Sequence, residues 1–259
     1  MLKKLMKYDL VWINKFMLIY FTISLIVCTI TRISSYFTDS FIGNIIFLIL
    51  RGCAISCFIS CLINCVIRIW IRFKNNTYKD ESYLTHTLPI SKNTLYNSKI
   101  ISGIISLLIT LIVIVLCFLI VYLDKHMFNE IKNIFTNNDN IFIFLSLCLT
   151  VILEMIYMLY CGLIGLLIGH NSNNHRDLKS VFVGIALYFF IQLIILGIIY
   201  SIGLLNTDMN NLFSTTDIFT GNIKAVKLLV IIVNIVYIIF ISGMYFIGKK
   251  IFNKGVNVE

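Results

Sequence analysis

"IISGIISLLITLIVIVLCFLIVYL", residues 100–123, holds no charge, no proline and nothing more polar than a hydroxyl. The hydrocarbon of a bilayer is about 30 Å thick, and a helix crosses it with about 20 mostly apolar residues. Lipid offers the backbone no hydrogen bonds, so such a run must bond internally, as a helix. The stretch therefore predicts a transmembrane helix, and it sets the class of its neighbours. Five further apolar runs occur, at residues 16–30, 41–67, 141–169, 181–205 and 228–248. The expected fold is an all-α integral membrane protein with six transmembrane helices.

Composition agrees. Of 259 residues 59% are hydrophobic and 13% charged, and mean hydropathy is +0.94, which excludes an ordinary water-soluble domain. Lys3, Lys4 and Lys7 precede the first run as they would a signal peptide, but "TITRISSYF" (29–37) offers no small-residue cleavage site, so a retained span is expected. No Pro/Gly linker divides the chain, and 1–259 reads as one membrane domain. Residues 1–15 place Leu2, Leu5 and Met6 between lysines at helical spacing, with Trp12 near the headgroups, which predicts an interfacial helix turning by an elbow into the first span.

Lys and Arg favour the cytoplasmic side. An inner N-terminus puts Lys3, Lys4, Lys7, Lys15, Arg68, Arg72, Lys74, Lys79, Lys92, Lys99, Arg176, Lys179, Lys249, Lys250 and Lys254 inside, against Arg32, Lys125, Lys132, Lys224 and Lys227 outside. Both termini are expected to be cytoplasmic. The net charge of +9 then follows from topology and attraction to anionic lipid, with no nucleic acid required.

Candidate chemistry is sparse. Neither GxxxxGK[ST], HExxH nor GxSxG occurs. Cys53, Cys57, Cys61 and Cys65 recur every four residues, a stripe about 18 Å long, too long for one metal to gather four thiolates. With Gly52, Ser56, Ser60 and Asn64 beside it, the stripe reads as a face of small side chains for helix packing. His170 and His175 are too poorly spaced for a metal pair, and no catalytic or metal residues are assigned. Asn64, Gln192 and Asn234 are expected to make interhelical hydrogen bonds. Arg51 and Glu154 are charges at comparable depth within spans, costly enough to be functional candidates: they pair, or they line a pathway.

The longest inner segment, 68–99, contains "YKDESYLTHTLPIS" (78–91). Tyr83, Leu84, Thr87 and Leu88 share one side of a short helix expected over 79–88, with Asp80 and Glu81 in its first turn. Pro89 ends it, and Ser91 is the expected N-cap of a helix entering the third span. The pattern "DESYLTHTLPISKNTLYNSKIISGIIS" (80–106), with "LMKYDL" near the N-terminus and the six-span layout, resembles the permease subunits of bacterial ABC transporters of the type-two exporter superfamily.

That resemblance implies a multi-pass subunit of the bacterial cell membrane that exports peptides, antibiotics or lipids. On that resemblance it would not itself be an enzyme. ATP and Mg would be bound by a separate cytoplasmic ATPase, and the pathway would be completed by a second permease copy or a paralogue within membrane lipid. The 68–99 segment would be the coupling loop, with Tyr83, Leu84, Thr85, Thr87, Leu88, Pro89 and Ser91 at the ATPase contact. Two other readings stay open: an ion-coupled secondary transporter using Arg51 and Glu154, and an immunity-type protein that sequesters a peptide without transport.

Overall fold

The computed structural model describes residues 2–79, 81–87, 89–172, 174–205 and 223–254. Every regular element among them is helical: α1 (Leu2–Ser34) with a 3-10 turn after it (Ser35–Phe37), α2 (Phe41–Tyr78), α3 (Ser82–Thr87), α4 (Lys92–Tyr122), α5 (Lys125–Thr136), α6 (Asn138–His170), α7 (Arg176–Leu205) and α8 (Ile223–Lys254). Six are long and apolar enough to cross a membrane, and α4, which carries residues 100–122, has the highest mean hydropathy at 3.5. The chain is an all-helical multi-pass membrane protein. Large apolar side chains such as Ile112, Phe182 and Leu193 point outward, as a surface solvated by lipid requires.

The helices gather into two compact units, one reaching to Asn129 and the other from Glu130 on. In the first, α1 and α4 run in the same direction and α2 runs against them. Cys28, Ala54, Phe58, Cys117 and Val121 form its core between the helices. The cysteine stripe is a packing face over part of its length: Cys61 and Cys65 are buried, and Cys61 Sγ lies 3.1 Å from Ser24 Oγ on α1. Farther along, Cys53 is exposed and a Cβ built on Gly52 meets nothing within 4 Å. All eight cysteines are free.

The helices outrun the apolar runs that predict them. α1 is one helix from Leu2 to Ser34, so the expected elbow between interfacial segment and span has no break to form at. α2 continues to Tyr78 because its last turns are amphipathic: Ile69, Phe73, Asn76 and Thr77 are buried at helical spacing. The expected loop 68–99 thus shrinks to residues 79–91. Ser91 is the N-cap of α4, its Oγ accepting from Thr94 N at 3.3 Å. Ser40 caps α2 in the same way through Gly43 N at 3.0 Å.

In the second unit α6 packs against both α7 and α8. A Cβ on Gly169 would lie 2.5 Å from Ser180 N and 2.6 Å from Ser180 Cα, and one on Gly165 would lie 2.5 Å from Ser180 O. Two glycines four residues apart thus let the α6 and α7 backbones touch, the small-residue contact that lipid favours. Asn234 bonds across helices as expected, accepting from Thr150 Oγ1 (2.8 Å) and donating to Ser146 O (3.2 Å). Gln192 does so too, donating Nε2–H to Tyr237 OH at 3.3 Å. Asn64 does not: its amide donates to Ser60 O, one turn back on α2. The connector between the third and fourth spans contains α5, which the hydropathy reading passes over.

Candidate functional site

The ends of α1, α2 and α4 build a polar centre flanking the apolar layer of the first unit. Ile13 and Met17 on α1, Ile69 and Phe73 on α2, and Leu95, Tyr96 and Ile100 on α4 are buried there. Among them Asp9 is only 2% exposed. Its carboxylate accepts from Lys99 Nζ with both oxygens, at 2.8 and 2.7 Å, and from Arg72 Nε at 2.9 Å. Asn76 Nδ2 adds a fourth bond at 3.2 Å.

One carboxylate facing two cations leaves an excess positive charge, and Glu81 supplies the balance. Arg72 Nη1 donates to both Glu81 oxygens, at 3.1 and 2.8 Å. Asp9 and Glu81 against Arg72 and Lys99 make a neutral quartet, in which Asp9 and Lys99 are sealed and paired, as buried charges must be, and Glu81, 47% exposed, stands at the solvent rim. Arg72 also lies over the Trp12 ring (5.2 Å) and Arg68 over Phe16 (4.3 Å), which ties α2 to α1 a second time.

This arrangement revises the expected role of the acids before α3. Glu81 turns its carboxylate to Arg72, while its backbone carbonyl receives Thr85 N–H (3.0 Å) and Thr85 Oγ1–H (2.7 Å). α3 begins at Ser82, three residues after the expected start. Of the residues expected at a partner contact, Tyr83 is 75% exposed, and Thr87, Pro89 and Ser91 are exposed. Thr85 is half-buried by its bonds to Glu81. Asp80, Leu88 and the side chain of Leu84 lie outside the described residues. α3 is therefore a helical turn, exposed at Tyr83 and Thr87, that follows directly on Glu81, the residue tied through Arg72 to a buried ion centre.

Sequence reasoning counts Arg72 and Lys99 only as topology markers and does not single out Asp9. The available signal was composition: Asp9 is the sole acid before Asp39, in an amphipathic segment rich in lysine.

The two intramembrane charges each have a partner within their own unit. Arg51 on α2 lies 4.5 Å over the Tyr122 ring of α4. Glu154 on α6 accepts from Tyr188 OH on α7 at 3.1 Å. Near it, Tyr157 OH donates to Leu187 O at 2.7 Å, and the Tyr157 and Tyr237 rings are 6.1 Å apart.

At the junction of α6 and α7, His170 is buried, with Nδ1 3.2 Å from Ser180 Oγ and Nε2 3.7 Å from Asp177 Oδ1. Ser180 Oγ donates its proton to Arg176 O at 2.8 Å and is buried against Gly169, so the hydroxyl is committed to packing. His175, just before α7, has a positive φ of 53°. Among the described residues no group of three His, Cys, Asp or Glu side chains gathers as metal ligands would. No known family, curated protein or solved structure matches the chain.

Proposed function

We propose that this chain is the membrane-spanning subunit of an ATP-driven bacterial exporter whose separate cytoplasmic ATPase grips α3. The observation that carries the reading is the fastening of an exposed helical turn to the membrane helices. Tyr83 is presented to solvent, and one residue before α3 Glu81 holds Arg72, which with Lys99 holds Asp9. A helix docked in a groove is a recurrent mode of partner recognition. A push on α3 would reach α1, α2 and α4 through charge-assisted bonds, with α4 capped by Ser91 just beyond Pro89. The pathway would be completed by a second copy or a paralogue, and the cargo would be a peptide, antibiotic or lipid.

Co-purification tests this. The ATP-binding subunit encoded beside the chain should be recovered with it, and Leu84→Asp and Tyr83→Ala should each abolish or weaken recovery and transport together. If no ATP-binding subunit is ever recovered and Leu84→Asp leaves transport untouched, the proposal fails.

A second reading, an ion-coupled carrier, is favoured by Glu154 within a span. Such carriers commonly bind at helices unwound near the bilayer midplane. Among the described residues α6, α7 and α8 run unbroken through their middles. Transport persisting in ATP-free vesicles under an imposed proton gradient would favour this carrier.

A further inference from the structure

Glu154 stands sixteen residues from each end of α6 (Asn138–His170), about 24 Å along the helix from either terminus. No deeper position exists on a spanning helix. A carboxylate there is costly unless neutralised, and so marks function by default. Its surroundings neutralise it only in part. One oxygen accepts from Tyr188 OH at 3.1 Å, and among the described residues of its unit no Lys, Arg or His forms an ion pair with it. The side chain is half-buried, neither sealed in a core nor open.

The groups around it come from α6, α7 and α8. Tyr157 on α6, Tyr188 on α7 and Tyr237 on α8 bring aromatic rings, and Gln192 is engaged with Tyr237 OH at 3.3 Å. Tyr157 spends its hydroxyl proton on Leu187 O. Tyr157 and Tyr237 are sealed within the packing, 1% and 3% exposed, so what the site offers near mid-helix is one carboxylate without a cation partner and the half-buried ring of Tyr188. That combination recognises a positive charge carried on an apolar body: the ring favours the cation by cation–π attraction, and the carboxylate supplies the counter-charge lipid cannot.

We propose that Glu154, beside Tyr188, binds the positive charge of a lipophilic monocation within the membrane. This names the substrate chemistry for the transport reading and rests on it. Either a small organic molecule or a lysine side chain of an apolar peptide supplies such a cation, and the two share the same contact.

The full chain in nanodiscs, without any ATPase, tests the site separately from coupling. The probes are tetraphenylphosphonium, its neutral relative triphenylphosphine oxide, and a short apolar peptide with one lysine beside the same peptide with glutamine. At least one cation should bind about tenfold tighter than its neutral counterpart, a difference of one charge contact. Glu154→Gln should erase that preference, Glu154→Asp should keep part of it, and Tyr188→Phe should weaken it. Preference for tetraphenylphosphonium identifies a small cation, and preference for the lysine peptide alone identifies a peptide. Binding of neither cation, or equal binding by wild type and Glu154→Gln, overturns the proposal.

Discussion

Lys99 on α4 reaches both carboxylate oxygens of Asp9 on α1, at 2.8 and 2.7 Å, across ninety residues of chain. Both are nearly sealed from solvent, with side chains 7% and 3% exposed. Removing one partner of such a pair strands the other as a buried, unpaired charge. Lys99→Met or Asp9→Asn should therefore cost about 3–5 kcal/mol, read as lowered thermal stability of the detergent-solubilised chain. Asp9→Asn should be the more severe, because it leaves Lys99 and Arg72 facing one another. The double variant Asp9→Asn with Lys99→Met should cost less than the sum of the two.

At the far ends of the same helices Arg32 Nη1 meets Asp124 Oδ1 at 2.7 Å, again joining α1 to the end of α4. From Asp9 to Arg32 is about 35 Å of helix, so the two ion pairs bracket a layer of bilayer thickness. Their energetic weights differ because their solvent differs. Asp124 is 69% exposed, and Asp124→Asn should shift stability by less than about 1 kcal/mol. A loss comparable to that of Asp9→Asn in the same melting assay would show that burial is not what separates the two pairs.

Gly169 and Gly52 make a matched contrast. A methyl on Gly169 would strike backbone atoms of Ser180 at 2.5 and 2.6 Å, which cannot rotate away, whereas a methyl on Gly52 meets nothing within 4 Å. Gly169→Ala should force α6 and α7 apart and destabilise by about 1–3 kcal/mol. Gly52→Ala should be neutral or slightly stabilising, since alanine is the better helix former by about 1 kcal/mol. Melting temperatures of the two variants in one detergent decide the point.

The six spans were legible because their signal is local: each run states its own hydropathy, and lipid permits no other backbone solution. Helix ends were less legible. α2 passes from lipid-facing residues to an amphipathic turn at Ile69, Phe73, Asn76 and Thr77, so the hydropathy falls while the helix continues. α5 shows the same limitation: Met127, Phe128, Ile131, Ile134 and Phe135 follow helical spacing, but over too few residues to register as a span. Ser91 was legible as a cap because capping chemistry is short-range. The Asp9 centre was not, because its partners lie 63 and 90 residues away and lysine and arginine were weighed by side of membrane rather than by partner. Glu81 shows the cost of local reasoning: helix-dipole logic placed it at α3, and tertiary pairing with Arg72 took it instead.

Glu81 separates stability from coupling. Its side chain is 47% exposed, so Glu81→Gln should change the melting temperature little, by less than about 1 kcal/mol in stability. Yet Glu81 is the link between α3 and the buried centre, through two bonds from Arg72 Nη1 at 3.1 and 2.8 Å. If α3 receives the motion of an ATPase, loosening that link should let ATP be hydrolysed without moving the helices. A residue on such a path shifts coupling by about 0.5–2 kcal/mol, so transport per ATP should fall by about two- to thirtyfold while ATPase binding is retained. Arg72→Lys should act in the same direction more strongly, because an ammonium lacks the planar fork that holds Asp9 and Glu81 at once. Transport and hydrolysis measured together in proteoliposomes give the ratio. A Glu81→Gln variant with an unchanged ratio would show that α3 moves the spans by another route, and one that loses ATPase binding altogether would make Glu81 part of the contact surface rather than the link behind it.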